Sequence, residues 1–330
     1  MTTKTPQSPD KPTPIELTVD ESHSGLRLDR LLAGSCPGLS RTQAAKAIKA
    51  GQATIDGKQA SPGTLAKAGQ KVSFLPPDAS EPEPGPDQSA KLDIIYQDSD
   101  ILVINKPAGL VSHPARGTSG ATLAGALLAH DPNLASVGAQ GRPGLVHRLD
   151  KDTSGVMAIA RNQAAFDFLS HAFAERQVGK LYLAFVSGQI QGSGQIDAPI
   201  GRHPTLRHKM AAGVRDGRKS RSLYRVICKF PRTGLSLVSV TLLTGRTHQA
   251  RVHLSSIGAP VLADPCYGKG LGPLAKSHPS LAPLLTRQFL HARRLAIPHP
   301  SGDTMTFRAP WPQDFLRLLE ELRRLERETK

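Results

Sequence analysis

Residues 77–91, PDASEPEPGPDQSAK, constrain this chain more than any other stretch. Proline, serine and acid dominate them, a composition that cannot bury a core and reads as a linker. The chain is therefore expected to fold as a small front module over 15–76 and a large back module over 92–330, after a disordered lead-in at 1–14. The lead-in, MTTKTPQSPDKPTP, has no apolar region of the kind a secretory signal carries. No apolar run in the chain reaches the roughly 18 residues that a membrane helix needs. Its three cysteines, Cys36, Cys228 and Cys266, are odd in number and far apart. They point to neither a disulfide framework nor a cysteine zinc site, and a reducing cytoplasm is the expected location.

In the front module Leu28, Leu31 and Leu32 recur at helical spacing. Ser40 is the expected cap of a second helix, TQAAKAIKA, which Gly51 stops. Short strands are expected at Ala53–Ile55 and Val72–Phe74, near the turn Asp56-Gly57. The back module opens with LDIIYQDSDILVINKP, read as a hairpin. Further strands are expected at Val156–Ala160, Leu181–Val186, Ser222–Cys228 and Leu235–Leu243. Helices are expected at Asn162–Ala174, Thr247–Ile257 and Pro312–Arg327. Strands dominate without strict alternation with helices, so the pattern predicts an α+β fold around a mixed, largely antiparallel central sheet.

Charge narrows the partner. The net formal charge is +15. Residues 1–91 hold 11 Lys and Arg against 10 acids; residues 92–330 hold 31 against 17. A strongly basic back module without a membrane segment points to a polyanion, with nucleic acid foremost. The strongest local bias lies in 201–232, where ten Lys and Arg face one acid, Asp216. Arg202, Arg207 and Lys209 fall in this segment, which is expected to grip phosphates, and AAGVRDGRKS at 211–220 reads as a mobile basic loop. Arg41, Lys46 and Lys49 give the second front helix a basic edge.

Four stretches could carry chemistry. In GLVHRLDKDTSGV, residues 144–156, Asp150 sits among bases. It reads as a surface ion pair, a metal ligand or a nucleophile held ionised. Arg148 shares its face if the segment is extended, and so does Asp152. Gly155 permits close chain approach. LTGRTHQARVHLSSIG, residues 243–258, reads as a helix capped by Thr247 and stopped by Gly258. Ala250, Val252, Leu254 and Ile257 keep its inner face dry. Arg251 there could meet a buried carboxylate, and Arg246 and Arg251 could equally coat a basic surface. In ERQVGKLYLAFV, Tyr182 alternates with apolar neighbours, as a base-stacking or a sheet-edge tyrosine would. The last is the basic segment itself. His248 and His253 are five apart, and no zinc-protease, P-loop, dinucleotide or nucleophile-elbow pattern occurs, so neither metal nor cofactor is indicated.

Taken together and in this order, INKPAGLVSHP (104–114), HRLDKDTSG, GKLYLAFV (179–186), TGRTHQARVHL (244–254) and DPCYG (264–268) resemble the RluA family of pseudouridine synthases. RLDRLL, LSRTQAAKAIKAG and IDGK in the front module resemble an S4 RNA-binding domain. PIGRHPTLRHKMA (199–211) leans toward the RluD-like members, which modify large-subunit ribosomal RNA. The resemblance implies that Asp150 is the catalytic aspartate and Arg251 its basic partner. It implies that Tyr182 packs on the target base and Arg148 helps hold the uridine out of its helix. Ala250 departs from the family, where a larger aliphatic is usual.

The implied activity is isomerisation of uridine to pseudouridine in RNA, most of all 23S rRNA or a pre-ribosomal particle. The reaction imports no group, so no cofactor is expected. Asp150 would attack C1′ or C6, or remove a ribose proton; the sequence leaves these open. The RNA contacts would come from Arg148, Arg41, Lys46, Lys49, Arg202, Arg207, Lys209 and Arg246, and the chain is expected to act as a monomer. A tRNA target, a non-catalytic ribosome assembly factor and a metal-dependent nuclease stand as alternatives.

Overall fold

The computed structural model describes residues 14–36, 39, 41–76, 84–112, 121–188, 190–207 and 209–328. Nearly all of the expected lead-in, residues 77–83 of the expected linker, the expected cap Ser40 and the end of INKPAGLVSHP lie outside the described residues. The chain divides into two compact units, Met1–Glu81 and Pro82–Lys330.

The first unit contains β1 (Ile15–Thr18), α1 (Leu28–Ser35), α2 (Arg41–Lys49), β2 (Ala53–Ile55), β3 (Lys58–Gln59) and β4 (Lys71–Phe74). Its strands form an antiparallel sheet in the order β1-β4-β2-β3. Asp56 and Gly57 both have positive φ, the two-residue geometry that joins β2 to β3 with matching twist. Leu28, Leu31 and Leu32 of α1 and Ile48 of α2 pack with Val72 and Phe74, so the helical leucine spacing ends in one core. Asp29, buried in α1, accepts from Arg27 and Arg41 at 3.1 and 3.2 Å.

The second unit runs β5 (Ile94–Gln97), β6 (Ile101–Lys106), α3 (Leu123–His130), β7 (Gly138–Ala139), β8 (Arg142–Pro143), β9 (Ser154–Ala160) and α4 (Gln163–Ala174). It continues with β10 (Gly179–Ser187), β11 (Ser193–Asp197), β12 (Ile200–Arg202), β13 (Met210–Ala212), β14 (Arg221–Phe230) and β15 (Leu235–Leu242). It ends with α5 (Gln249–Ser256), α6 (Gly272–Ser277), β16 (Leu290–Pro298), β17 (Thr304–Arg308) and α7 (Gln313–Arg327). Nine strands make the main sheet in the order β11-β14-β15-β10-β16-β9-β6-β5, with β17 on β16. Among the named strands of the described residues, β16 and β9 are the pair that runs parallel. The fold is thus α+β with a mixed, largely antiparallel sheet, as the strand-rich pattern predicts.

Ile101–Ile104 and Val156–Ala160 are continuous apolar runs because β6 and β9 are covered on both faces. On α7, Phe315, Leu318 and Leu322 recur at helical spacing and pack on Phe185, Phe230 and Phe289. Each such side chain, once buried, contributes roughly 1.5–3 kcal/mol. This second core anchors the strands that carry the site.

Three local expectations are corrected. Thr247 does not cap α5; the cap is His248, in left-handed conformation at φ 57, and the helix starts at Gln249. The reason is a side chain that reaches backward: Gln249 Oε1 accepts from Arg246 N at 3.0 Å and Thr244 Oγ1 at 2.7 Å, closing the 244–249 turn. Ile257 does not keep the inner face dry. It follows α5 at its C-cap and is 37% exposed, just before Gly258 turns the chain at φ +77. The stretch 211–220 is not loop from its start, since Ala211 and Ala212 belong to β13.

Candidate active site

The loop of residues 144–155 is bracketed by two glycines that no other residue could replace without a clash. At Gly144, φ +62, an added Cβ would lie 2.2 Å from the Ala160 carbonyl oxygen. At Gly155, φ +122, it would lie 2.2 Å from the Ala292 carbonyl oxygen, where β9 meets β16. Between them Leu149 is buried, while Arg148 is exposed and Asp150 partly so, the alternation of an extended segment.

The loop's backbone carbonyls are held by one bond within the loop and several from outside it. Leu149 O accepts from Ser112 Oγ at 3.3 Å, Asp150 O from Thr153 N at 3.1 Å, and Asp152 O from Arg287 Nη1 at 3.0 Å. Lys151 O accepts from Gly109 N and from Lys106 Nζ, both at 3.0 Å. Lys106 is fully buried and also donates to the carbonyls of Pro107 and Leu110 at 2.8 Å. Burial pushes its ammonium down to about 7, against the nearby charge of Asp152. Arg287 is fixed in turn by Asp314 of α7, whose two oxygens accept from its Nε and Nη2 at 2.5 and 3.0 Å. With the carbonyls so engaged, the Asp150 carboxylate is left to face the cavity.

Arg251 lies under that carboxylate. Its Nη1 donates to Asp150 Oδ2 at 3.0 Å, while Nε and Nη2 donate to the two oxygens of Asp264 at 2.7 and 2.9 Å. Asp264 Oδ1 also accepts from Cys266 N at 2.8 Å and Tyr267 N at 3.0 Å. Burial alone would push the Arg251 guanidinium down. The hydrogen bond and charge of Asp264, with Asp150, overcome this and raise it. Burial likewise raises Asp264, and Arg251 more than reverses it, holding the carboxyl below its ordinary value. The arginine is therefore a permanent cation beside Asp150.

A cavity of ≈ 330 Å³ opens above Asp150, lined also by His147, Arg148, Arg176, Lys180, Tyr182, Arg246 and His248. Among the described residues Asp150 is the one acid in its lining. Lys180 and Tyr182 share this face of β10, as their alternation requires. Burial, then the charge of Asp150, pushes the Tyr182 hydroxyl up, so the ring enters the cavity neutral. Burial and the neighbouring Arg176 and Arg246 push Lys180 down to about 8. His147 stacks on Phe173, ring centroids 4.6 Å apart, and its Nε2 accepts from Ala158 N at 3.0 Å. Burial, with Lys180, pushes it down to about 3.

The structure thus brings Asp150, Arg251, Tyr182, Arg148 and Arg246 to one place. Asp152 is absent from the cavity lining. Arg202, Arg207 and Lys209 belong to the β12–β13 hairpin; Arg202 and Arg207 are exposed, and Lys209 Nζ turns to Cys266 O at 2.7 Å. Arg41, Lys46 and Lys49 are exposed along α2 of the first unit. Sequence reasoning gave no role to Asp264, Tyr267, His248, Lys106 or Arg287. Of metal-ligating groups, Asp98, Asp100 and His299 converge among the described residues. Asp98 is already engaged by Tyr96 Oη, Asp100 N and Ile101 N in the β5–β6 turn.

A sequence model of the RNA pseudouridylate synthases matches residues 100–256. The chain is 40% identical over 316 residues to ribosomal large subunit pseudouridine synthase D of Nitrosomonas europaea, covering 94% of this chain and 88% of that one. It is 43% identical over 305 residues to the Pseudomonas aeruginosa protein of the same name, covering 91% and 92%. It is similar in fold to human RNA pseudouridylate synthase domain containing 4, with a TM-score of 0.56 and 29% identity, over 70% of this chain and 93% of that one.

Proposed function

The chain belongs to the RNA pseudouridine synthases of the RluA family, and on that premise we propose that it isomerises uridines of large-subunit ribosomal RNA, with Asp150 as the attacking acid. One observation carries the reading. Among the described residues a single carboxylate, Asp150, lines a cavity to which Arg148, Arg176, Lys180 and Arg246 bring positive charge, and its own cation, Arg251, is immobilised by a second, buried carboxylate.

The chemistry follows from that geometry. An aspartate attacks only as the anion, and the fixed Arg251 sets a cation against Asp150 Oδ2 without occupying the cavity side of Asp150. Its target is a uridine that has left its stack, at a cost of a few kcal/mol. The Tyr182 ring offers that base a flat, neutral surface. Arg148, exposed at the rim, takes the space the base vacated. Arg148, Arg176, Lys180 and Arg246 attract the flanking phosphodiesters. The exposed cations of the β12–β13 hairpin extend this surface, and α2 supplies a separate basic edge in a front unit that resembles an S4 domain. Attack at C1′, attack at C6 and ribose deprotonation all require a carboxylate that faces the bound nucleotide. The enzyme works as a cytoplasmic monomer in this reading, on free or assembling ribosomal RNA.

The target is tested by mapping pseudouridines in total RNA from cells with and without the protein. The expected loss is confined to large-subunit rRNA. Loss in tRNA instead would overturn the target, and no loss anywhere would overturn the activity.

A further inference from the structure

His248 contributes to the cavity and has no part in the mechanism above. Its backbone is left-handed at φ 57, an uncommon conformation for a residue with a side chain, which here its surroundings hold in place. The Gln249 side chain locks the preceding turn, and the His248 carbonyl accepts from Val252 N at 2.9 Å to begin α5. The ring is thereby placed beside Asp150, with Nε2 3.8 Å from Asp150 Oδ1. That distance is too long for a hydrogen bond. Both residues line the cavity side by side, so a substrate atom within it can reach the His248 ring as well as the carboxylate.

The other ring nitrogen fixes what Nε2 carries. His248 Nδ1 lies 2.8 Å from the Tyr267 hydroxyl oxygen, which already accepts from Met210 N at 3.0 Å. With that oxygen accepting from Met210, its own proton is free to go to Nδ1. Burial pushes the imidazole down, so the ring is neutral and has one proton to place. The carboxylate of Asp150 beside Nε2 draws that proton to Nε2. Both preferences agree on an Nε2–H donor aimed into the cavity.

Resting on the activity proposed above, we propose that His248 donates its Nε2 hydrogen bond to a carbonyl oxygen of the target uracil, and that Tyr267 fixes the tautomer that makes this possible. The isomerisation breaks N1–C1′ with the electron pair left on the ring, forms C5–C1′, and passes one proton from C5 to N1. Between those events the ring carries negative charge spread onto its oxygens, where a prepositioned donor lowers the barrier. His248 keeps its proton throughout. It acts on the detached ring, while Asp150 acts on the nucleotide. Tyr267 does not touch the base: it positions His248, and its ring lies 5.1 Å from the Arg251 guanidinium. Because Met210 belongs to β13, the same hydroxyl ties this donor to the basic hairpin.

The test is single-turnover pseudouridine formation on large-subunit rRNA at saturating enzyme, with RNA affinity and thermal melting measured alongside. His248→Phe is expected to slow the reaction about 10²-fold, the usual effect of losing one such donor, with affinity within about twofold. His248→Gln, which keeps an N–H donor, is expected to recover at least about tenfold of that loss. Tyr267→Phe, outside the cavity lining, is expected to slow it about five- to tenfold, the loss of one ordinary hydrogen bond. A His248→Phe rate near wild type, or His248→Gln no faster than His248→Phe, would overturn the donor role. Tyr267→Phe at the wild-type rate would overturn the tautomer assignment, and it remains readable if His248→Phe does not fold. Wild-type protein that forms no pseudouridine would instead overturn the proposed function.

Discussion

Asp150 and Asp264 hold the same arginine, yet replacing each by asparagine is expected to give opposite phenotypes. The Asp264 side chain is fully buried and takes four hydrogen bonds, two from Arg251 and two from backbone amides. An asparagine keeping its oxygen on the backbone amides would turn its NH₂ toward Arg251 Nε, donor against donor. The guanidinium would then be buried with one of its two anions gone. Removing one partner of a buried pair costs about 3–5 kcal/mol. Asp150 is 18% exposed and takes one hydrogen bond from Arg251, which an amide oxygen can still accept. Its replacement is expected to cost about 1 kcal/mol or less. The difference, about 2–4 kcal/mol, corresponds to melting temperatures roughly 5–15 °C apart for a unit of this size. Urea unfolding of both variants measures it directly. Single-turnover assays are expected to reverse the order, with Asp150→Asn inactive and the folded fraction of Asp264→Asn retaining partial activity. Equal stabilities within about 1 kcal/mol would refute the claim that Asp264, rather than Asp150, anchors Arg251.

Three further outcomes are expected. Gly155→Ala places a methyl 2.2 Å from the Ala292 carbonyl at a φ that favours glycine, so it should cost about 3 kcal/mol or more in denaturant melts; a neutral change would contradict the packing of β9 on β16. His147, ordinarily near 6.5, is held down to about 3 when folded, so below pH 6.5 the unfolded chain takes up a proton that the folded chain refuses. Stability should fall with pH by up to about 1.4 kcal/mol per unit from this group, and between pH 7 and 4.5 wild type should lose about 2–3 kcal/mol more than His147→Gln; parallel pH curves would contradict this. Replacing Lys46 and Lys49 by alanine should flatten the salt dependence of RNA affinity by about one to two in the log–log slope and leave the saturated rate intact; an unchanged slope would remove α2 from the RNA surface.

The fold was legible where periodicity and core agree. The leucines of α1, the runs of β6 and β9 and the stripe on α7 all have patterns that permit one kind of element. The helix start at 247 was not, because the competitor to the Thr247 cap is Gln249, whose side chain acts backward on the turn and leaves no local signature. The site was legible in the residues whose chemistry is conspicuous: an acid among bases, an arginine on a dry helix, a tyrosine alternating with leucines. Asp264 was hidden by distance, since a carboxylate 13 residues beyond Arg251 is matched to it only when the chain folds back. Lys106 and Arg287 act through backbone carbonyls of the 150–152 loop, and no residue type in that loop records such a contact. The spacing of His248 to His253 speaks only to metal binding, whereas its neighbours in space are Tyr267 and Asp150.

The most direct measurement of the central claim is single-turnover pseudouridine formation in large-subunit rRNA by wild-type protein and by Asp150→Asn, with both shown to be folded and bound to the RNA. Wild type should convert specific uridines and Asp150→Asn none, at similar RNA affinity. Pseudouridine formed by Asp150→Asn at a rate near wild type would contradict the assignment of Asp150.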